Sequence, residues 1–148
     1  MVKRVPSFLL AAVWLLLCGC EPGPHSSSGF RLPEGNAQRG KAAFVAYGCH
    51  TCHEVSGADL PKPTAQPPVP VILGGVVPQP MTDGQLVTSI IYPSYRLASY
   101  PKDQVAVNGK SRMPLFADKM TVQDLTDVVA FLQSQYVVRR TLPETGVR

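Results

Sequence analysis

Cys49-His50-Thr51-Cys52-His53 decides how this chain is read. Two cysteines three positions apart, with a histidine directly after the second, form the short pattern that attaches a haem covalently. Each thiol adds across a porphyrin vinyl group, and the adjacent imidazole is brought under the ring as an axial iron ligand. Two other chemistries use a CxxC. Zinc needs two further Cys or His ligands at a workable spacing, and beyond His50 and His53 the remaining histidine is His25, in a low-complexity stretch. A thioredoxin-like pair follows a strand in a βαβ unit, whereas residues 36–47 read as a helix with no strand before it. That pair also leaves His53 unexplained.

On the N-terminal side of the motif, Asn36 is an N-cap candidate for this helix. Ala37, Gly40, Ala43, Phe44 and Tyr47 recur at steps of three and four and share one face. Gly40 in a helix interior costs about 1 kcal/mol relative to Ala, which points to a second helix crossing closely there. The crossing partner lies near the other end of the chain. Thr121 and Asp124 approximate a capping box. Val122, Leu125, Val128, Val129, Leu132 and Tyr136 then form an apolar stripe through a helix reaching about residue 135, with Phe44 and Phe131 expected near the contact. Between these two, Thr82 and Gln85 make a capping box, Leu86, Ile90 and Ile91 give a buried face, and Pro93 stops the helix near Tyr92. No run shows sustained two-residue alternation, so an all-α domain is expected.

The chain has 148 residues, enough for one domain with appendages. Its 15 prolines are about twice the usual share. They cluster in residues 61–80, which argues for loops laid over a cofactor. Lys3 and Arg4 followed by an apolar run over residues 8–17 read as a signal peptide, too short to span a bilayer as a helix. Leu17-Cys18-Gly19-Cys20 resembles the bacterial lipobox, and that resemblance implies an acylated Cys20 as the first mature residue. Ordinary cleavage nearby, leaving a soluble periplasmic protein, is the alternative. Residues 20–35, rich in Pro, Gly and Ser, read as a flexible tether. A coil of about 16 residues spans roughly 20–25 Å, or about 50 Å when extended. The boundaries expected are therefore a signal peptide over 1–19, a tether over 20–35, the folded domain over 36–136 and a tail over 137–148.

The formal charge is +4. Lys3 and Arg4 supply half of that excess, and two haem propionates would offset the rest. No long basic run or aromatic-basic interleaving suggests nucleic acid. Lys110 and Arg112 flank the loop containing Met113 and read either as a local docking patch or as two solvated side chains.

The order of Gly40-Lys-Ala-Ala-Phe44 on a helix, the Cys49–His53 motif, a proline-rich loop, a helix, a Met-Pro loop and a terminal amphipathic helix resembles the small class I cytochromes c. The resemblance covers about residues 36–136. It implies three to four short helices and long loops wrapped around one covalently attached haem c, with the first and last helices crossing at Gly40, Phe44 and Phe131. His53 would be the proximal ligand, its second ring nitrogen held by a backbone carbonyl. In the family that carbonyl comes from a proline after the motif. Val69-Pro70-Val71-Ile72-Leu73-Gly74 is similar to that segment, which gives Pro70, with Pro67 and Pro68 as alternatives.

Three methionines can serve as the distal ligand. Met113-Pro114 resembles the family's ligand loop; Met120 beside the Thr121 cap and Met81 before the third helix also read as core methionines. Among Tyr92, Tyr95 and Tyr100, one could bond a propionate and none is assigned. The resemblance implies a single-electron carrier rather than an enzyme, working with periplasmic redox partner proteins and taking no small-molecule substrate. Two other functions fit the same residues: an electron-accepting subunit of a periplasmic oxidoreductase, and a haem sensor with an open sixth site.

Overall fold

A computed structural model describes residues 30–139. The expected signal peptide, Cys20 and most of the expected tail lie outside the described residues. Among those described, no helix is long and apolar enough to cross a membrane.

Helix α1 spans Ala37–Ala46. Asn36 caps it as expected, its side-chain oxygen accepting from the Arg39 N–H at 2.9 Å. The helix ends at Tyr47, and the chain turns through Gly48 at φ 72°. An added Cβ on Gly48 would meet nothing closer than 4.0 Å, so conformation, not space, selects glycine there. A single 3₁₀ turn, Cys49–Thr51, follows. Strand β1 is Val55–Ser56 and β2 is Leu73–Val77. The expected third helix is α2, Asp83–Ile91, with both halves of the Thr82/Gln85 capping box formed. A short helix α3, Lys102–Val105, leads into a hairpin of β3, Ala106–Val107, and β4, Lys110–Ser111. Helix α4 is Val122–Ser134, and β5 is Tyr136–Val138.

The crossing of α1 and α4 organises the core. A Cβ on Gly40 would sit 1.8 Å from the Asp127 carbonyl oxygen and 2.8 Å from the Phe131 Cβ. Only a residue without a side chain lets the two backbones approach so far. Phe44 and Phe131 meet edge to face with centroids 5.6 Å apart, a favoured aromatic geometry. Val55 of β1, Leu86, Val87 and Ile90 of α2 and Val128, Val129 and Leu132 of α4 complete the buried cluster. Gln133 of α4 ties down the start of α2 by donating to the Met81 carbonyl at 2.8 Å and to Asp83 at 2.9 Å.

Three details differ from expectation. Val122 does not belong to the buried stripe: as the first helical residue it is 72% exposed, and the stripe's burial begins at Leu125. Asp124 completes only half a capping box. Its N–H donates to the Thr121 hydroxyl at 3.0 Å, but its shorter side chain takes that hydroxyl's proton at 2.6 Å instead of reaching the cap's backbone. The packed unit also begins at Arg31. Leu32 packs against the core, and an added Cβ on Gly35 would come 2.5 Å from the Thr126 carbonyl, so the last residues of the expected tether are folded onto the domain.

The all-helical expectation holds for the core. It omits a small parallel ribbon in which β2 lies between β1 and β5. Two-residue β1 and the Gly74-Gly75 pair inside β2 erase the alternation that would have marked strands.

Candidate functional site

The motif closes on itself in one turn. The N–H groups of Cys52 and His53 both donate to the Cys49 carbonyl, at 3.3 and 3.0 Å, and Thr51 donates to Gly48 through its N–H at 3.0 Å and its hydroxyl at 2.7 Å. Cys49, Cys52 and His53 therefore share one rigid turn directly after α1. Both thiols are free, Cys49 half-buried and Cys52 exposed. Burial pushes the Cys49 thiol up to about 11, as expected for a thiolate that would lose its hydration.

His53 Nδ1 lies 3.0 Å from the Val71 carbonyl oxygen. A carbonyl has no proton to give, so Nδ1 carries the hydrogen and Nε2 is left with its lone pair for a metal. The carbonyl is Val71's and not that of Pro70, Pro67 or Pro68. Register explains the shift: Leu73 N–H donates to the Glu54 carbonyl at 2.9 Å and pairs with Val55, which turns the carbonyl two residues earlier toward His53. Pro70 stands beside the site. Its carbonyl faces the Tyr100 hydroxyl at 3.4 Å, and with Pro67 it lines a cleft of about 330 Å³ that Cys52, Glu54, Val71 and Ile72 also border. The proline-rich loop is strapped to the motif, Thr64 and Ala65 donating to the Thr51 carbonyl at 3.1 and 2.8 Å.

Met113 is held by other elements. Its N–H donates to the Ser111 hydroxyl at 3.1 Å, and the Ser111 N–H donates to the Ser94 hydroxyl at 3.0 Å. Arg112 donates from its N–H to the Val105 carbonyl at 2.9 Å and from its guanidinium to the Asp103 carbonyl at 3.0 Å. The hairpin turns through Asn108 and Gly109 at φ 49° and 75°, the paired left-handed residues of a type I′ turn. Met81 and Met120 pack against the core cluster, whereas half-buried Met113 is not among the side chains packed there.

The donor set fits a c-type haem: two thiols and an imidazole nitrogen in one turn, and a thioether not committed to the core. An apolar plate also has surface to lie against, since Ile72, Tyr92, Tyr95, Tyr100 and Leu115 are all exposed and the Tyr100–Pro70 bond joins two of these segments. Among the described residues no group of three His, Cys, Asp or Glu could hold a metal ion by itself.

The Cytochrome c family model matches residues 37–135. The chain belongs to the cytochrome c family. The match runs from the start of α1 to the residue after α4, so it takes in the helix crossing, the Cys49–His53 turn and Met113, and stops short of β5. No curated protein and no solved structure matches the chain. The cytochrome c fold expected from the motif order is the fold observed, and membership supports a haem-binding electron carrier, in a family whose general role is electron transfer. Sequence reading quoted Val71 but gave it no role, because its bond to His53 is a long-range contact. It also passed over Asn108-Gly109, whose hairpin signal was local and readable.

Proposed function

We propose that this cytochrome carries single electrons on one haem c attached through Cys49 and Cys52, with His53 and Met113 as axial ligands. When bound, the iron supplies reversible one-electron chemistry, and a His/Met pair favours the ferrous state and raises the potential. The chain's own residues hold and tune it. The observation that carries the reading is the His53–Val71 bond, which fixes the imidazole with Nε2 free and raises its basicity. Met113 is the distal choice because Met81 and Met120 are used by the core.

In matured protein, Met113→Ala is expected to lose the weak ferric iron–thioether band and to bind carbon monoxide when reduced. Met120→Leu and Met81→Leu should keep the band while losing some stability. Band retention in Met113→Ala would remove Met113 from the site.

The reading extends to export and anchoring by a lipid on Cys20, on the periplasmic side of a membrane. Lipoproteins of this type carry more than one acyl chain, and two or more chains hold a protein firmly where one does not. Cys20→Ala is expected to release the protein from the membrane fraction, and its retention there would count against the anchor.

A second reading, the electron-accepting subunit of a periplasmic oxidoreductase, draws support from Leu115, which is 50% exposed beside Met113; Leu97 is half-buried. A partner protein that co-purifies in fixed ratio from native membranes would favour it, and a single monomeric species would favour the free carrier.

A further inference from the structure

The Tyr47 side chain links the entry of the Cys49–His53 turn to the loop holding Met113. It caps the C-terminus of α1, two residues before Cys49. Its hydroxyl donates to the Asp124 carboxylate at 2.8 Å, in the first turn of α4. Its ring meets Phe116 edge to face, with centroids 6.4 Å apart and planes at 86°. Phe116 lies three residues after Met113. Pro114 and Leu115 between them are exposed, so Phe116 is the first point after Met113 at which the chain is fixed to the domain. It packs against the core, and its carbonyl accepts from the Lys119 and Met120 N–H groups at 3.1 and 3.2 Å, closing the turn that leads to Thr121. The Lys119 ammonium sits 5.9 Å from the Phe116 ring. On the other side of Met113 the support is the small, largely exposed hairpin.

We infer that Tyr47 is a positioning residue for Met113: its ring and hydroxyl clamp the Met113 loop, through Phe116 and Asp124, to the helix that presents the proximal ligand. The inference rests on the His53/Met113 reading above. A residue needed only for packing would supply the ring. The hydroxyl adds a bond to an ionised group, the stronger class of hydrogen bond, and it ties the clamp to α4 as well as to the loop. Loosening the clamp raises the fraction of time that Met113 is off the iron and leaves the proximal side unchanged.

The test uses matured, haem-loaded protein and reads carbon monoxide binding to the reduced form, the ferric thioether band and thermal stability together. Wild type is expected to bind carbon monoxide negligibly. Tyr47→Leu, which loses both contacts, should bind it roughly tenfold or more faster and show a weakened band. Phe116→Leu should act in the same direction, and Tyr47→Phe, which keeps the ring, should fall between. Val128→Ala, a core substitution in α4 away from the clamp, should lower the melting temperature with carbon monoxide binding as slow as wild type. Should Tyr47→Leu not accumulate, Phe116→Leu and Tyr47→Phe decide the matter. Unchanged carbon monoxide binding in the clamp variants, or equal opening by Val128→Ala, overturns the inference alone. Free binding by wild type overturns the His53/Met113 reading and the inference with it.

Discussion

Asp127 shows what a single residue can be read to do only once its neighbours are known. It is 2% exposed, and with Thr126 it makes up the buried polar residues among those described. Its carboxylate accepts from Arg39 Nε at 2.7 Å and Nη2 at 3.1 Å, from the Asn36 N–H at 2.7 Å and from Gln123 at 3.0 Å. Arg39, then the Asn36 N–H, hold its pKa below the ordinary carboxylate value. Asp124 is held low in the same way, first by the Thr121 hydroxyl and then by Tyr47. A carboxylate depressed in the folded state contributes its stability fully above the unfolded value of about 3.9 and loses it as pH falls through the folded value. Thermal melts at pH 7 and pH 3 are therefore expected to show Asp127→Asn less stable than wild type at pH 7, with the difference narrowing at pH 3. Parallel losses at both pH values would contradict this linkage. Cys49, Cys52 and His53 could be singled out from sequence because the chemistry proposed for them depends on spacing along the chain. The carbonyl serving His53 was not, because an 18-residue separation leaves the choice among neighbouring carbonyls to strand register, and the family pattern pointed one residue too early.

At the scale of elements, the α1–α4 crossing is where propensity and packing oppose each other. Gly40→Ala gains about 1 kcal/mol of helix propensity. It also forces a methyl to within 1.8 Å of the Asp127 carbonyl, an overpacking that costs about 1–3 kcal/mol or more. Because the obstacle is backbone, which cannot rotate away, the cost belongs at the upper end and packing wins. Thermal unfolding of the haem-loaded Gly40→Ala protein should show a clear net loss; an equal or higher melting temperature would mean that the helices can part without penalty. Helical periodicity made α1, α2 and α4 readable from sequence, caps included. The β1–β2–β5 ribbon was hidden because its strands are short, β2 carries glycines, and the β2–β5 pairing joins segments on opposite sides of α2 and α4 in the chain. The Asn108-Gly109 hairpin is the opposite case, a local signal available from two residues and their left-handed φ angles.

For the molecule as a whole, the sides that the proposed reading makes proximal (His53) and distal (Met113) are built from different elements. The proximal side hangs from α1, β1 and β2 and is strapped by the proline-rich loop. The distal side hangs from α3 and the β3–β4 hairpin, and meets the first through the α4 N-terminus and Phe116. In the proposed His53/Met113 reading, such a division suits a carrier that keeps both ligands through each oxidation and reduction, the two sides being joined by the Tyr47 contacts to Phe116 and Asp124. Exposed apolar side chains occur on both sides, Ile72 and Val76 at β2 on the His53 side and Tyr95 and Leu115 on the Met113 side. The most direct test of the central claim is the optical spectrum of protein matured with c-type haem assembly machinery, recorded oxidised, reduced, and reduced with carbon monoxide. A covalently held low-spin haem, with the weak ferric iron–thioether band and no shift on adding carbon monoxide, is the result this account predicts. A high-spin haem, or one that takes up carbon monoxide freely, would contradict it and make an open sixth site the starting point for function.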